Sequence, residues 1–196
     1  MNLIAATPLL RMSADLESID ELCGRHDRGE VDGGRFVAEL PAFIARAIGC
    51  SRAGVRVLIE TSTGSVLRTV AMYEQSSARL VEVPDLAGDA VRPYLASLGR
   101  RGGIIAPDVA KHPGVSQLLR HYGAHQQLRS LMDVGISLDG AVCGTLSCEQ
   151  LLSPQQWSPR QLLLLRHISV RTSPALAGVV AEQAAASRRP RELDDV

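Results

Sequence analysis

The chain has 196 residues and a mass of 21.0 kDa, enough for one domain to bury a core without disulfides or a structural metal. Its 21 Lys+Arg balance 21 Asp+Glu, which argues against a dedicated nucleic-acid binder, and 45% hydrophobic residues is an ordinary globular content. No apolar run approaches the roughly 20 residues of a membrane-spanning helix, and the first ten residues lack the basic start and cleavage site of a signal peptide.

In chain order, residues 13–24 predict a short helix capped by Ser13, with Leu16, Ile19 and Leu22 or Cys23 at helical spacing. Gly24 to Gly34 reads as a linker. A second helix is expected from Arg35 to Ile48, with an apolar stripe of Phe36, Leu40, Phe43, Ile44 and Ala47. Pro41 either kinks it or marks its first turn, and Gly49 ends it. Arg52–Glu60 alternates as a strand: Val55, Val57 and Ile59 share one face, Arg56 and Glu60 the other. Val66–Tyr73 predicts a second strand with Val66, Val70 and Met72 on one face, and Leu80–Val83 a short third one.

Asp89–Leu98 is expected to be helical, followed by a brief strand from Gly103 to Val109 and a helix from Val115 to Tyr122. Leu128–Leu138 and Ala141–Gln150 flank Asp139-Gly140, a strong hairpin signal because both turn residues must take positive φ. Ser158, Pro159 and Gln161 form a capping box at the start of a final helix that runs towards Val180 and Ala186. Arg188–Val196 reads as a polar tail. Strands grouped apart from helices indicate an α+β domain with an antiparallel sheet, and the lack of a glycine-rich phosphate loop after a strand disfavours a doubly wound nucleotide enzyme.

Three stretches, in this order and spacing, resemble the GAF family of small-molecule-sensing modules. They are Ile104–Val109 with His112-Pro113; Ser130–Ile136 with Asp139-Gly140 and Gly144–Glu149; and Trp157–Leu162. The resemblance covers residues 35–185, leaving 1–34 as an N-terminal helix and linker and 186–196 as a disordered tail. It implies a GAF/PAS-like sheet, a ligand pocket between the sheet and the variable helices, and homodimerisation through packed terminal helices. The motive for a dimer is also local: Leu162, Leu163, Leu164 and Leu165 cannot all face one core.

The family's cyclic-nucleotide signature has no counterpart here, since Asn2 is the single asparagine, and no Cys-His dipeptide offers a bilin attachment site. The ligand-binding candidates are Tyr94 and Tyr122 on the variable helices, Asp108, Asp133 and Cys143. Asp133 stands out because aspartate is depleted inside strands and a buried carboxylate needs a partner or a polar ligand. His121 and His125 share a helical face, with Asp108 nearby, but no metal set is complete.

The expected function is a cytoplasmic, non-enzymatic sensory domain without cofactor or metal, binding an unidentified small molecule and acting as a homodimer on a separate signalling protein. No output domain is legible after residue 185, and neither nucleic acid nor membrane is an expected partner. The alternative is a thiol-dependent enzyme of the free-methionine-sulfoxide reductase type. Cys143 and Cys148, five apart on one strand, are expected on opposite faces, so such an enzyme would need Cys50 or Cys23. Otherwise the thiols pack as small hydrophobes.

Overall fold

The structure is a computed structural model that describes residues 3–118 and 127–188. Its elements are α1 (Leu3–Asp27), α2 (Gly33–Ile48), β1 (Arg52–Thr61), β2 (Gly64–Glu74), β3 (Arg79–Leu80), β4 (Leu86–Ala87), α3 (Val91–Arg101), β5 (Ile104–Ala106), α4 (Pro113–Leu118), β6 (Leu128–Leu138), β7 (Ala141–Leu151) and α5 (Pro159–Arg188). The strands form one antiparallel sheet in the order β3-β2-β1-β7-β6-β5, with β4 also paired to β2. This is the expected α+β architecture.

Local signals place most boundaries. Asp32 caps α2 by accepting the Arg35 N–H at 2.8 Å, and Gly49 ends it in the left-handed conformation at φ 75°. Pro41 lies buried inside α2 rather than in its first turn. Asp139 and Gly140 take φ 50° and 80° at the tip of the β6–β7 hairpin. The Ser158–Gln161 box forms reciprocally: Ser158 Oγ accepts the Gln161 N–H at 3.2 Å, and Gln161 Oε1 accepts the Ser158 N–H at 2.8 Å. The first helix is longer than its periodicity indicates, and its end reaches into the expected linker.

The sheet has two buried faces. On one, Ala53, Val55, Met132, Val134, Ile136, Leu146 and Cys148 pack against Ile19 of α1, Phe36, Leu40 and Ile44 of α2, and Leu165 and Ile168 of α5. On the other, Leu67 and Leu131 pack against Val91, Tyr94, Leu95 and Leu98 of α3, with Ile104 and Ala106 of β5. Each fully buried side chain of this size contributes on the order of 1.5–3 kcal/mol.

Two β-bulges overturn face assignments made from strict alternation. Between the pairs Val55↔Ala71 and Arg56↔Thr69, Val70 is an extra residue on β2. Val70 therefore packs on the helix-lined face, whereas Met72 lies against Gly54 on the other. Between Ile136↔Gly144 and Ser137↔Val142, Cys143 is the extra residue on β7. Cys143 and Cys148 consequently pack in the same helix-side cluster, not on opposite faces.

Gly144 fixes how closely β1 and β7 approach. A Cβ there would lie 2.4 Å from the Arg56 carbonyl oxygen and 3.2 Å from Val57 Cα, both backbone atoms. Gly144→Ala is expected to destabilise the fold by about 3 kcal/mol or more, because neither contact can be relieved by a rotamer change. Gly178→Ala, in the middle of α5 with nothing within 4 Å of its Cβ position, is expected to stabilise by about 0.5–1 kcal/mol. Urea unfolding of the two variants beside wild type checks both signs.

Candidate functional site

Strand register assembles a row of polar side chains on the face covered by α3. Asp133, Ser147 and Gly54 are cross-strand neighbours, as are Gly135, Thr145 and Arg56, and Leu131, Glu149 and Arg52. Residues two apart on a strand share a face, so Arg56, Asp133, Thr145, Ser147 and Glu149 all project towards α3. Arg56 is 1% exposed, Asp133 2%, and Glu149, Thr145 and Ser147 are completely buried.

The cluster is tightly bonded. Arg56 Nη1 donates to Ser147 Oγ and Nη2 to Glu149 Oε1, each at 2.8 Å. The Thr145 and Ser147 hydroxyls lie 3.3 Å apart. From α3, the Tyr94 hydroxyl donates to Asp133 Oδ2 at 2.6 Å. Asp133 Oδ1 is buried and has no hydrogen-bond partner.

Burial pushes the Asp133 carboxyl up from 3.8 to about 6. Arg56, Tyr94 and Ser147 oppose that rise, and the Glu149 charge adds to it. Burial, and then the Asp133 charge, hold the Tyr94 phenol well above its ordinary value, so it stays a donor.

Tyr94 also walls a cleft of about 240 Å³, which Asp89, Ser97, Ile104 and His112 help to line. Ile104 pairs directly with Asp133 across β5 and β6, so Tyr94 and Ile104 stand between this cleft and the carboxylate. A larger cleft of about 460 Å³ runs between the end of α3 and α5, beside Arg100, Arg101 and Arg166. None of the five buried polar residues lines either cleft, but the smaller one is walled by Tyr94, which bonds Asp133 directly, so the smaller cleft is the candidate.

Of the sequence-based candidates, Tyr94 and Asp133 come together. Asp108 does not join them: Lys111 Nζ lies 2.9 Å away, and this partner first, then the Ala110 N–H, holds its carboxyl below the ordinary range. Cys143 packs on the helix-lined face, where its thiol donates to the Ile136 carbonyl at 3.4 Å. Tyr122, His121 and His125 lie outside the described residues. His112 lines the cleft, and its Nδ1 accepts the Val115 N–H at 3.3 Å.

Arg56, Thr145, Ser147 and Glu149 were not singled out from sequence. The available signal was the regular polar alternation in Gly144–Glu149, with Arg56 opposite Val55 and Val57, but such alternation ordinarily marks a solvent face.

The thiols lie on the other side of the sheet. Cys50 and Cys148 both belong to the helix-side cluster, with the Cys50 thiol donating to the Arg52 carbonyl at 3.0 Å. Burial, and then the neighbouring Cys50 thiol, push Cys148 well above its usual value, which disfavours a thiolate nucleophile. Among the described residues, no group of three His, Cys, Asp or Glu could hold a metal ion, and no helix is long and apolar enough to cross a membrane.

Comparisons with known proteins identify the family and the fold. A family model described as the GAF domain matches residues 35–176. Over 79 residues the chain is 29% identical to the circadian input-output histidine kinase CikA of Thermosynechococcus vestitus, covering 40% of this chain and 11% of the kinase. The photosensory core module of a Stigmatella aurantiaca phytochrome superposes with a TM-score of 0.67 at 14% identity, covering 88% of this chain and 37% of that one. Free methionine-R-sulfoxide reductase from Neisseria meningitidis superposes with a TM-score of 0.59 at 17% identity, covering 88% and 91%. At these identities the structural likenesses show the fold alone.

Proposed function

The chain belongs to the GAF domain family, and we propose that it is a non-enzymatic sensory domain that binds a small molecule on the sheet face beneath α3. The observation that carries this reading is the buried polar row. Five polar side chains, three of them ionisable, are sealed under one helix, where an ordinary core would be apolar.

A route for the signal accompanies the site. Arg166 of α5 donates from Nε to the Gly102 carbonyl at 2.8 Å and from Nη2 to the Arg101 carbonyl at 3.1 Å, tying α5 to the end of α3. Ser169 Oγ donates to the Gly135 carbonyl at 2.7 Å on β6. A ligand that moves Tyr94 biases α3, and α3 is bonded directly to α5. In this reading α5 works within a homodimer: Leu163 is 44% exposed and Val170, two turns on, 72%, whereas Leu164 and Leu165 are spent in the core. The dimer acts in the cytoplasm on a separate signalling protein.

Native mass spectrometry of protein purified from its host tests ligand and dimer together. A dimer mass plus a small molecule released on denaturation is expected. A ligand-free monomer at all concentrations overturns the reading. The thiol-dependent reductase is the second reading, favoured by Cys50 and Cys148 lying against one another. Turnover of free methionine sulfoxide that disappears when all four cysteines are replaced would establish it and end the sensory one.

A further inference from the structure

We propose that the site is selective for a small primary amine, whose ammonium group takes the place of the Tyr94 hydroxyl on Asp133. The inference rests on the ligand-binding reading above and adds the chemistry of the ligand.

The first argument is charge. Within the buried row Arg56 carries one positive charge, and Glu149 answers it at 2.8 Å. Asp133 has no cation within ion-pair distance among the described residues. The closed row therefore holds one more carboxylate than guanidinium. A buried carboxylate left without a counter-charge favours a cation far more than a neutral group, because the surroundings screen it poorly.

The second argument is valence. An ionised carboxylate offers about four acceptor positions. Oδ2 accepts from Tyr94, and Oδ1 accepts from nothing. Ser147, the cross-strand neighbour, accepts Arg56 Nη1 on its hydroxyl oxygen and has one O–H of its own to turn towards Asp133, which leaves further acceptor positions on the carboxylate open. An ammonium group has three N–H donors and can serve both carboxylate oxygens. A carboxylate or phosphate ligand would meet two buried acids and an arginine already engaged.

The third argument is access and size. The cleft outside Tyr94 is about 240 Å³, smaller than a typical drug-sized site, and among the described residues its titratable rim consists of Asp89 and His112 beside Tyr94, with no lysine or arginine. Rotation of the Tyr94 ring would join this cleft to Asp133. Its hydroxyl is thus a placeholder for the ligand's donor and competes with it.

The test uses n-butylammonium as probe, with n-butanol and n-butyrate as neutral and anionic controls of equal length. Binding is read at pH 8 from the Asp133 carboxyl carbon shift by NMR, a measurement that needs no variant. Saturable movement with the amine and neither control is expected. Tyr94→Phe, which removes the competing hydroxyl, should bind the amine severalfold more tightly, and Asp133→Asn roughly tenfold or more weakly. Equal binding of butanol or butyrate, or undiminished amine binding by folded Asp133→Asn, overturns the proposal. If the amine fails while protein from the host still carries a small molecule that shifts the Asp133 signal, the amine class falls and the sensory reading stands. If no molecule reaches Asp133 in either experiment, both fall.

Discussion

Asp133→Asn is expected to stabilise the folded chain at pH 7–8 and to leave it unchanged near pH 4. Burial raises the folded-state carboxyl to about 6 from an ordinary 3.8. For an acid, a raised value means that the folded state holds its proton over a range in which the unfolded chain has released it. Between about pH 4 and 6 the folded state therefore binds more protons, and stability falls as pH rises through that window. Above the window the cost is complete; below 3.8 it is absent. The interval, at 1.36 kcal/mol per pH unit, corresponds to about 3 kcal/mol as an upper figure. Asparagine keeps the shape and an acceptor for the Tyr94 hydroxyl but carries no charge, so it removes the cost. Urea unfolding of both proteins at unit steps from pH 4 to 8 reads the effect as a difference, in which the titration of every other group cancels. Parallel stability profiles would show that Asp133 is not strained by burial. A gain in stability beside a loss of ligand binding is the usual trade at a site held ready for a partner.

Arg56→Met is expected to cost about 3–5 kcal/mol, the largest effect of any single side-chain replacement in the row. The methionine stem can fill much of the space, so the loss is mainly electrostatic. Glu149 is left completely buried without its 2.8 Å cation, and the Ser147 hydroxyl loses its 2.8 Å donor. Asp133 suffers as well, since Arg56 is the strongest influence holding its carboxyl down. The double replacement Arg56→Met with Glu149→Leu should recover most of the loss, because removing both charges removes both desolvation costs. Thermal and urea unfolding of the two single variants and the double one complete the cycle. Additive losses would mean that the pair does not act as a unit. A stable double variant would also show that the ion pair is not needed for folding and would direct attention to its place in the site.

The sequence by itself determined the fold class and the order of the elements apart from the two-residue β4. Asp139-Gly140 specified the β6–β7 hairpin, and Ser158 with Gln161 specified the start of α5, because backbone conformation and capping depend on neighbours a few residues away. The α3 stripe of Val91, Tyr94, Leu95 and Leu98 follows helical periodicity and is buried as that periodicity requires. Asp133 was legible as an anomaly, a carboxylate inside a strand.

Tertiary structure alone decided where each face points. The bulges at Val70 and Cys143 reverse the parity of their strands, and a single inserted residue leaves no mark in local composition. It also decided that the polar side of β1, β6 and β7 is covered. Arg56, Ser147 and Glu149 alternate with apolar neighbours as a solvent-facing row would, yet all three are buried, with α3 placing Tyr94 on Asp133 beside them. The pairing of Arg56 with Glu149 joins residues 93 apart in the chain through the β1–β7 register. Periodicity reports which residues share a side of a strand. What lies opposite that side is set by packing between distant elements, and here that packing makes the difference between a hydrated surface and a site.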